Sequence, residues 1–274
     1  MTGLDQVPSY PSGHQLLAGR VVVVTAAAGT GIGSATARRC LEEGAQVVIS
    51  DWHQRRLGET ADALAEITGV APPAVVCDVT VEAQVQALIW AAVEAFGRID
   101  VLVNNAGLGG EVTLEEMTDE QWSRVLDVTL TGTFRCTRAA LKQFRRQAVE
   151  ADGPGVAGRS GGAIVNNASV IGWRAQAGQA HYAAAKAGVM ALTRCAAIEA
   201  TELGVRVNAV APSLAMHPFL AKVTTEELLA ELTQREAFGR AAEPWEVANA
   251  IVFLASDYAS YLTGEVLSVS SQHP

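Results

Sequence analysis

Apolar residues follow two alternating rhythms along this chain, and the alternation predicts a fold before any single residue does. Short β-branched runs bounded by turn residues read as strands: RVVVVT at 20–25, AQVVISD at 45–51, PAVVCDV at 73–79 and RIDVLVNNAG at 98–107. GGAIVNNAS at 161–169, VRVNAVAPS at 205–213 and EVLSVS at 265–270 continue the series. Between them, residues 34–44, 54–67, 81–96, 118–150, 180–203 and 244–256 carry helical spacing. Gly44 closes the first of these helices, and Thr118 with Gln121 forms a capping box at the start of the long one.

Strands separated by helices at this interval imply right-handed βαβ units and a doubly wound parallel α/β sheet, Rossmann-like, in one domain over residues 19–274. Residues 1–18 read as an N-terminal arm, extended where Pro, Ser and Gly crowd residues 7–13. Two segments break the rhythm. Residues 150–162 form a Gly-rich connection, and 213–244 carry an amphipathic helix of their own beyond a strand's carboxyl end, which suits a substrate lid. Leu214, Met216, Phe219, Leu220, Leu228, Leu229 and Leu232 make that lid apolar.

Composition narrows the function. Of 274 residues, 49% are hydrophobic but only 5% aromatic, so the core is aliphatic, as a buried parallel sheet requires. A net charge of −9 with no basic run argues against nucleic acid or an anionic membrane as partner. Cys40, Cys77, Cys136 and Cys195 form no CxxC pair, which fits reduced residues of a cytoplasmic protein. The five histidines lack metal-ligand spacing, so no metal is expected. Neither a secretory h-region nor an 18-residue apolar run is present, so no membrane association is expected.

The chemistry gathers at the strands' carboxyl ends. After the first strand, TAAAGTGIG places Gly29, Gly31, Ile32 and Gly33 at the start of a helix, where glycines admit a pyrophosphate to the helix amino end. Alone this pattern is weak, and Ser34 breaks the GxGxxG form. Asp51 ends the second strand, where a carboxylate can hold a ribose 2′-hydroxyl. No Arg or Lys in the turn offers itself to a 2′-phosphate, and Arg55 and Arg56 belong to the next helix, so NAD is favoured over NADP. Asp78 and Val79, then Asn105, Ala106 and Gly107, end the third and fourth strands at the same edge. Tyr182 and Lys186, four apart in HYAAAKAG, share one helix face. The plain reading of that pair is an edge tyrosine and a snorkelling lysine.

Together TAAAGTGIG, CDV, NNAG, Ser169, YAAAK and VRVNAVAP resemble the short-chain dehydrogenase/reductases, in their single-domain, 3-oxoacyl-reductase-like branch, over residues 19–270. Six motifs in order are specific where each alone is loose. The resemblance implies a catalytic Ser169, Tyr182 and Lys186, with Lys186 also on the nicotinamide ribose and Pro212 and Leu214 beside the cofactor. It further implies a homotetramer built on the two long helices and the C-terminal strand. A free tyrosine has a pKa of about 10, and a neighbouring ammonium would bring it toward the working range. The TAAAGTGIG loop resembles that of actinobacterial members linked to steroid-ring and acyl-thioester breakdown.

The chain departs from the family pattern at four places. Ala26 replaces the first glycine of the turn, Ser213 and His217 replace the glycine and threonine after the sixth strand, and Ser270-Ser271-Gln272 replace the usual ending. Thr129 stands where the family's relay asparagine is found. The expected function is an NAD(H)-dependent oxidoreductase interconverting a secondary alcohol and a ketone on a small, apolar or acyl-thioester substrate. The rival is a nucleotide-binding regulatory or structural protein weakened by these departures. A sugar epimerase of the longer branch lacks room here for its substrate domain, and the divergent enoyl reductases space Tyr and Lys more widely.

Overall fold

Four consecutive valines make β1 (Val21–Val24), and their alternation splits them between two cores. Val22 and Val24 face one side of the sheet, Val23 the other. The computed structural model describes residues 7–150, 161–216 and 226–271, with side chains from 229 onward in the last stretch. Its strands continue with β2 (Gln46–Asp51), β3 (Ala74–Val76), β4 (Val101–Asn104), β5 (Gly162–Asn167), β6 (Val205–Pro212) and β7 (Val266–Val269). All pair in parallel in the order β3-β2-β1-β4-β5-β6-β7. The order reverses between β1 and β4, the point at which open sheets of this kind form a ligand crevice beyond their carboxyl ends.

Helices α1 (Ile32–Glu42), α2 (Gln54–Thr68) and α8 (Pro244–Ala255) cover one face, with Ala37, Cys40, Leu57, Leu64 and Ile251 in its core. The other face carries α3 (Glu82–Phe96), α5 (Gly132–Glu150) and α6 (Ala180–Ala200), with Leu88, Ala140, Phe144 and Ala197. Among the described residues two shorter α-helices follow, α4 (Asp119–Leu126) and α7 (Glu226–Gln234).

Three expectations change in detail. The long helix expected over 118–150 keeps its Thr118–Gln121 capping box but divides into α4, a π-helical turn at Asp127–Thr131, and α5. A turn of π-helix widens the spacing of carbonyls and commonly marks a functional position. The arm read over residues 1–18 is not a free extension where it is described. Leu17 is core, and Tyr10 lies against Trp245 and gives its hydroxyl to Glu42. The two ends of the segment read as a lid are joined by a parallel bridge between Ala215 and Ala242, and Leu229 and Leu232 are half-buried. Phe219, Leu220 and His217, the side chain of Leu228, and most of the Gly-rich connection lie outside the described residues.

The backbone of the arm at residues 14–16 is held by a buried carboxylate. Glu43 is fully buried and accepts from Arg39 Nη2 at 2.5 Å, from His14 N at 2.8 Å and from Leu16 N at 3.0 Å. Glu43→Ala leaves two arm amides without an acceptor and the Arg39 guanidinium with only Glu42 and the Pro11 carbonyl, so urea unfolding should show a loss of about 3 kcal/mol, with faster proteolytic cleavage before residue 18. An unchanged urea midpoint would show that the arm is not part of the cooperative unit.

Candidate active site

The turn between β1 and α1 is fastened from three sides. Ala26, at the family's glycine position, adopts φ +50°, a left-handed conformation that costs a non-glycine residue about 1 kcal/mol. Its carbonyl accepts from Asn105 Nδ2 at 3.0 Å. That oxygen lies 2.2 Å from where a Cβ on Gly33 would stand, so only glycine fits there. Gly29, at φ +90°, donates its amide to Thr60 Oγ1 at 2.8 Å. Asp51 is buried and accepts from Ala28 N at 3.3 Å and His53 N at 2.9 Å. Its carboxylate thus anchors the turn that the sequence paired with it, and its remaining lone pairs can take a ribose hydroxyl. Nothing lies within 4 Å of a Cβ built on Gly29 or Gly31, so the turn is open toward the crevice at the helix amino end. These features fit a dinucleotide.

Beyond β2 and β3, Asp78 is engaged locally, accepting from Thr80, while Val79 is buried against Gly132 of α5. Beyond β4, the amides of Asn105 and Ala106 both donate to Thr25 Oγ1, which ties this strand end to β1. The chain then runs as a glycine-rich ribbon, Gly107-Leu108-Gly109-Gly110, over the start of α6. A Cβ on Gly107 would sit 3.4 Å from Lys186 Nζ and 3.8 Å from Thr129 Oγ1. Gly109 faces the Tyr182 ring and Gly110 faces His181.

Thr129 explains how the ribbon is held. Fully buried in the π-helical turn, its hydroxyl accepts from Leu108 N at 3.0 Å and donates to Leu108 O at 3.1 Å. Both capacities of the hydroxyl are used on one residue's backbone. Thr129 is therefore a clamp on the ribbon, with one acceptor site of its hydroxyl left over beside the lysine.

Ser169 follows β5, and its hydroxyl accepts from Ile171 N at 3.3 Å. Gly172 brings the next turn against the backbone of α6, where a Cβ would stand 3.0 Å from Ala187 N. This close approach sets Ser169 beside Tyr182, to which it hydrogen-bonds. Lys186 Nζ lies 5.5 Å from the Tyr182 ring centroid and donates to Asn167 O at 2.5 Å. Burial pushes the Tyr182 phenol up to about 12, opposed by its hydrogen bond to Ser169. Burial lowers Lys186 to about 8. Pro212 ends β6 with its carbonyl 3.5 Å from Ser169 Oγ, and Leu214 is buried two residues beyond.

Ser169, Tyr182, Lys186, Gly107 and Thr129 thus converge, with the Gly29–Gly33 turn and Asp51 at the other end of the same crevice. Sequence reasoning missed Thr25, Thr60 and Asn167. Asn167 and Thr25 stand at strand ends and could have been flagged by that alone, whereas nothing in the spacing marks Thr60. Among the described residues no group of His, Cys, Asp or Glu could hold a metal ion, and no helix is long and apolar enough to cross a membrane.

The family model described as enoyl-(acyl carrier protein) reductase matches residues 26–271. The chain belongs to the short-chain dehydrogenase/reductase family. It is an oxidoreductase of a family that uses nicotinamide cofactors. Over 271 residues, 99% of both chains, it is 65% identical to the (5R,7aS)-5-hydroxy-7a-methyl-1-oxo-2,3,5,6,7,7a-hexahydro-1H-indene-carboxyl-CoA reductase of Mycobacterium tuberculosis. It is 42% identical to the cis-4-hydroxycyclohexanecarboxylate dehydrogenase of Sinomonas cyclohexanicum over 259 residues, 93% of this chain and 96% of the relative. A crystal structure of a short chain dehydrogenase from Mycobacterium smegmatis is similar with a TM-score of 0.83 at 60% identity, covering 99% of this chain and 100% of that one.

Two outcomes test this geometry. Thr129→Val keeps the volume but removes both bonds to Leu108, so it should lower stability by about 2 kcal/mol and slow turnover, while Thr129→Ser should retain most of both. A Val variant that melts and turns over like wild type would leave the clamp without a role. Lys186 is protonated below about pH 8 when folded, against 10.5 ordinarily, so the folded state carries fewer protons between those values and stability rises with pH there. Lys186→Met should therefore be inactive yet more stable at pH 7, by about 2 kcal/mol, with the gain fading toward pH 10 in denaturation curves. A gain that stays constant with pH would mean that the buried charge is not its origin.

Proposed function

We propose that this chain interconverts a ring alcohol and its ketone on an alicyclic carboxylate carried as a coenzyme A thioester, with NAD(H) as cofactor. The observation that carries the chemistry is the convergence of Ser169, Tyr182 and Lys186 beside the glycine turn. In the reductive direction the Tyr182 hydroxyl gives its proton to the developing alkoxide; in the oxidative direction the phenolate takes a proton from the alcohol. Ser169 hydrogen-bonds the substrate oxygen and orients it toward the phenol. The Lys186 ammonium holds ribose hydroxyls and favours the phenolate that burial alone disfavours. A bound nicotinamide supplies or accepts the hydride at the carbinol carbon.

The substrate class draws on two relatives whose names describe hydroxylated carbocycles bearing a carboxyl group, one of them as its CoA thioester. The apolar lid suits such a ring. A place in steroid-ring breakdown belongs to this reading, supported by the loop resemblance and by the methylated fused ring in that relative's name. For the cofactor, Asp51 meets the ribose edge with negative charge, and Arg55 is held by Glu59 at 2.5 Å on the exposed side of α2. A homotetramer is supported by the groove between α5 and α6, lined by Phe134, Leu192, Ile198 and Leu203, and by exposed Ile198 and Tyr261. Four free cysteines support a cytoplasmic setting.

The test is turnover of ring hydroxy and keto acids, as free acids and as CoA thioesters, with each cofactor. The thioesters should be preferred, NAD(H) should exceed NADP(H) in kcat/KM by tenfold or more, roughly what a repelled 2′-phosphate implies, and Tyr182→Phe should lose about 10²- to 10⁴-fold. Cofactor binding without turnover of any substrate would favour the regulatory rival instead.

A further inference from the structure

Asn167 is one residue with two attachments. Its backbone carbonyl accepts from Lys186 Nζ, while its side chain lies on the opposite side of β5 from that of Asn166. Asn166 belongs to a buried set beneath the site, bonded to Asn104 and Thr193. Asn167 instead donates from Nδ2 to Asn105 Oδ1 at 2.9 Å, and Asn105 donates from Nδ2 to Ala26 O at 3.0 Å.

This chain of amides has one permitted direction. The Ala26 carbonyl can only accept, so the Asn105 amine must face it. The Asn105 oxygen then faces Asn167, whose amine must answer it. What remains is Asn167 Oδ1, buried and without a hydrogen-bond partner among the described residues. A buried acceptor is seldom left unpaired, because desolvating it without a donor costs stability. Its position narrows which donor it meets. Asn167 stands at the carboxyl end of β5, between the glycine turn, reached through Asn105, and the lysine that its own carbonyl holds. A dinucleotide across this edge brings its pyrophosphate to the turn, but pyrophosphate oxygens are themselves acceptors. The donors on the Lys186 side are the ribose hydroxyls and the carboxamide amine of the nicotinamide nucleoside.

We infer that Asn167 Oδ1 accepts a hydrogen bond from the nicotinamide nucleoside of the cofactor, so that Asn167 is a cofactor-binding residue that couples that half of the ligand, through Asn105, to the turn at Ala26. The inference rests on the nicotinamide-cofactor reading above and adds a residue to it. Calorimetric binding to the purified protein tests it without any substrate. Asn167→Leu removes the acceptor in a side chain of similar shape, and should weaken NADH binding about tenfold while leaving ADP, which has no second ribose, within twofold. Asn167→Ala runs beside it, so that a packing failure of the larger residue does not void the comparison. ADP-ribose and the 3-acetylpyridine analogue of NAD assign the donor. Loss retained with ADP-ribose supports a ribose hydroxyl, and loss that disappears with the acetylpyridine analogue supports the carboxamide. Unchanged NADH affinity in both variants overturns the inference. Equal weakening of ADP overturns it as well, since Asn167 would then act only on the shape of the turn. If wild type binds neither NADH nor NADPH, the cofactor reading itself has failed.

Discussion

The ammonium of Lys186 is buried, and the carbonyl at the end of β5 receives it. A charge withdrawn from water needs an acceptor, and much of the site follows from where that acceptor lies. The helix carrying Lys186 must press against β5 and β6, so α6 is rich in alanine and Gly172 lets the following turn touch its backbone. Once α6 is seated, Tyr182 stands one helical turn before the lysine and Ser169 stands beside the phenol. Gly107 and Gly109 are small because the ribbon crosses directly over both side chains.

Burial acts on the two titrating groups in opposite directions, and each resists its charged form. A neutral phenol and an easily deprotonated amine are what desolvation alone produces. The Ser169 hydrogen bond is the local influence that favours phenolate. Positive charge arriving at the nicotinamide position would tilt the balance further, and a site whose acid–base pair is tuned by its ligand resists idle ionisation without it.

Thr129, a departure from the family pattern, is tied to the ribbon at both functions of its hydroxyl. A hydroxyl has one donor and two acceptor sites, and Leu108 uses one of each. The bonds fix the ribbon's height over Lys186. The π-helical turn that carries Thr129 also lets Gly132 pack against Val79, so the distortion links the ribbon to the end of β3. Ala26 is a second departure of this kind: the backbone keeps the left-handed turn a glycine would adopt freely, and Asn105 holds the strained carbonyl in place.

By itself the sequence determined the layer order and the edge on which chemistry would gather, because β-branched runs and helical spacing depend only on neighbours along the chain. The Gly29–Gly33 turn stood out by its place after the first strand, where backbone must approach a ligand closely, while Ser169, Tyr182 and Lys186 were marked by the family resemblance. The sequence did not show that Asp51 would brace the turn through Ala28, that Thr60 would cap Gly29, or that Thr129 would spend its hydroxyl on Leu108. Nor did it show that the arm would close on Glu43. Those partners lie between 21 and 31 residues apart, and the free Oδ1 of Asn167 follows from an amide chain spanning β5, β4 and the turn after β1. Only tertiary structure decides such pairings, because a hydrogen bond depends on a few tenths of an ångström and on the direction of each donor, and neither is encoded in local spacing.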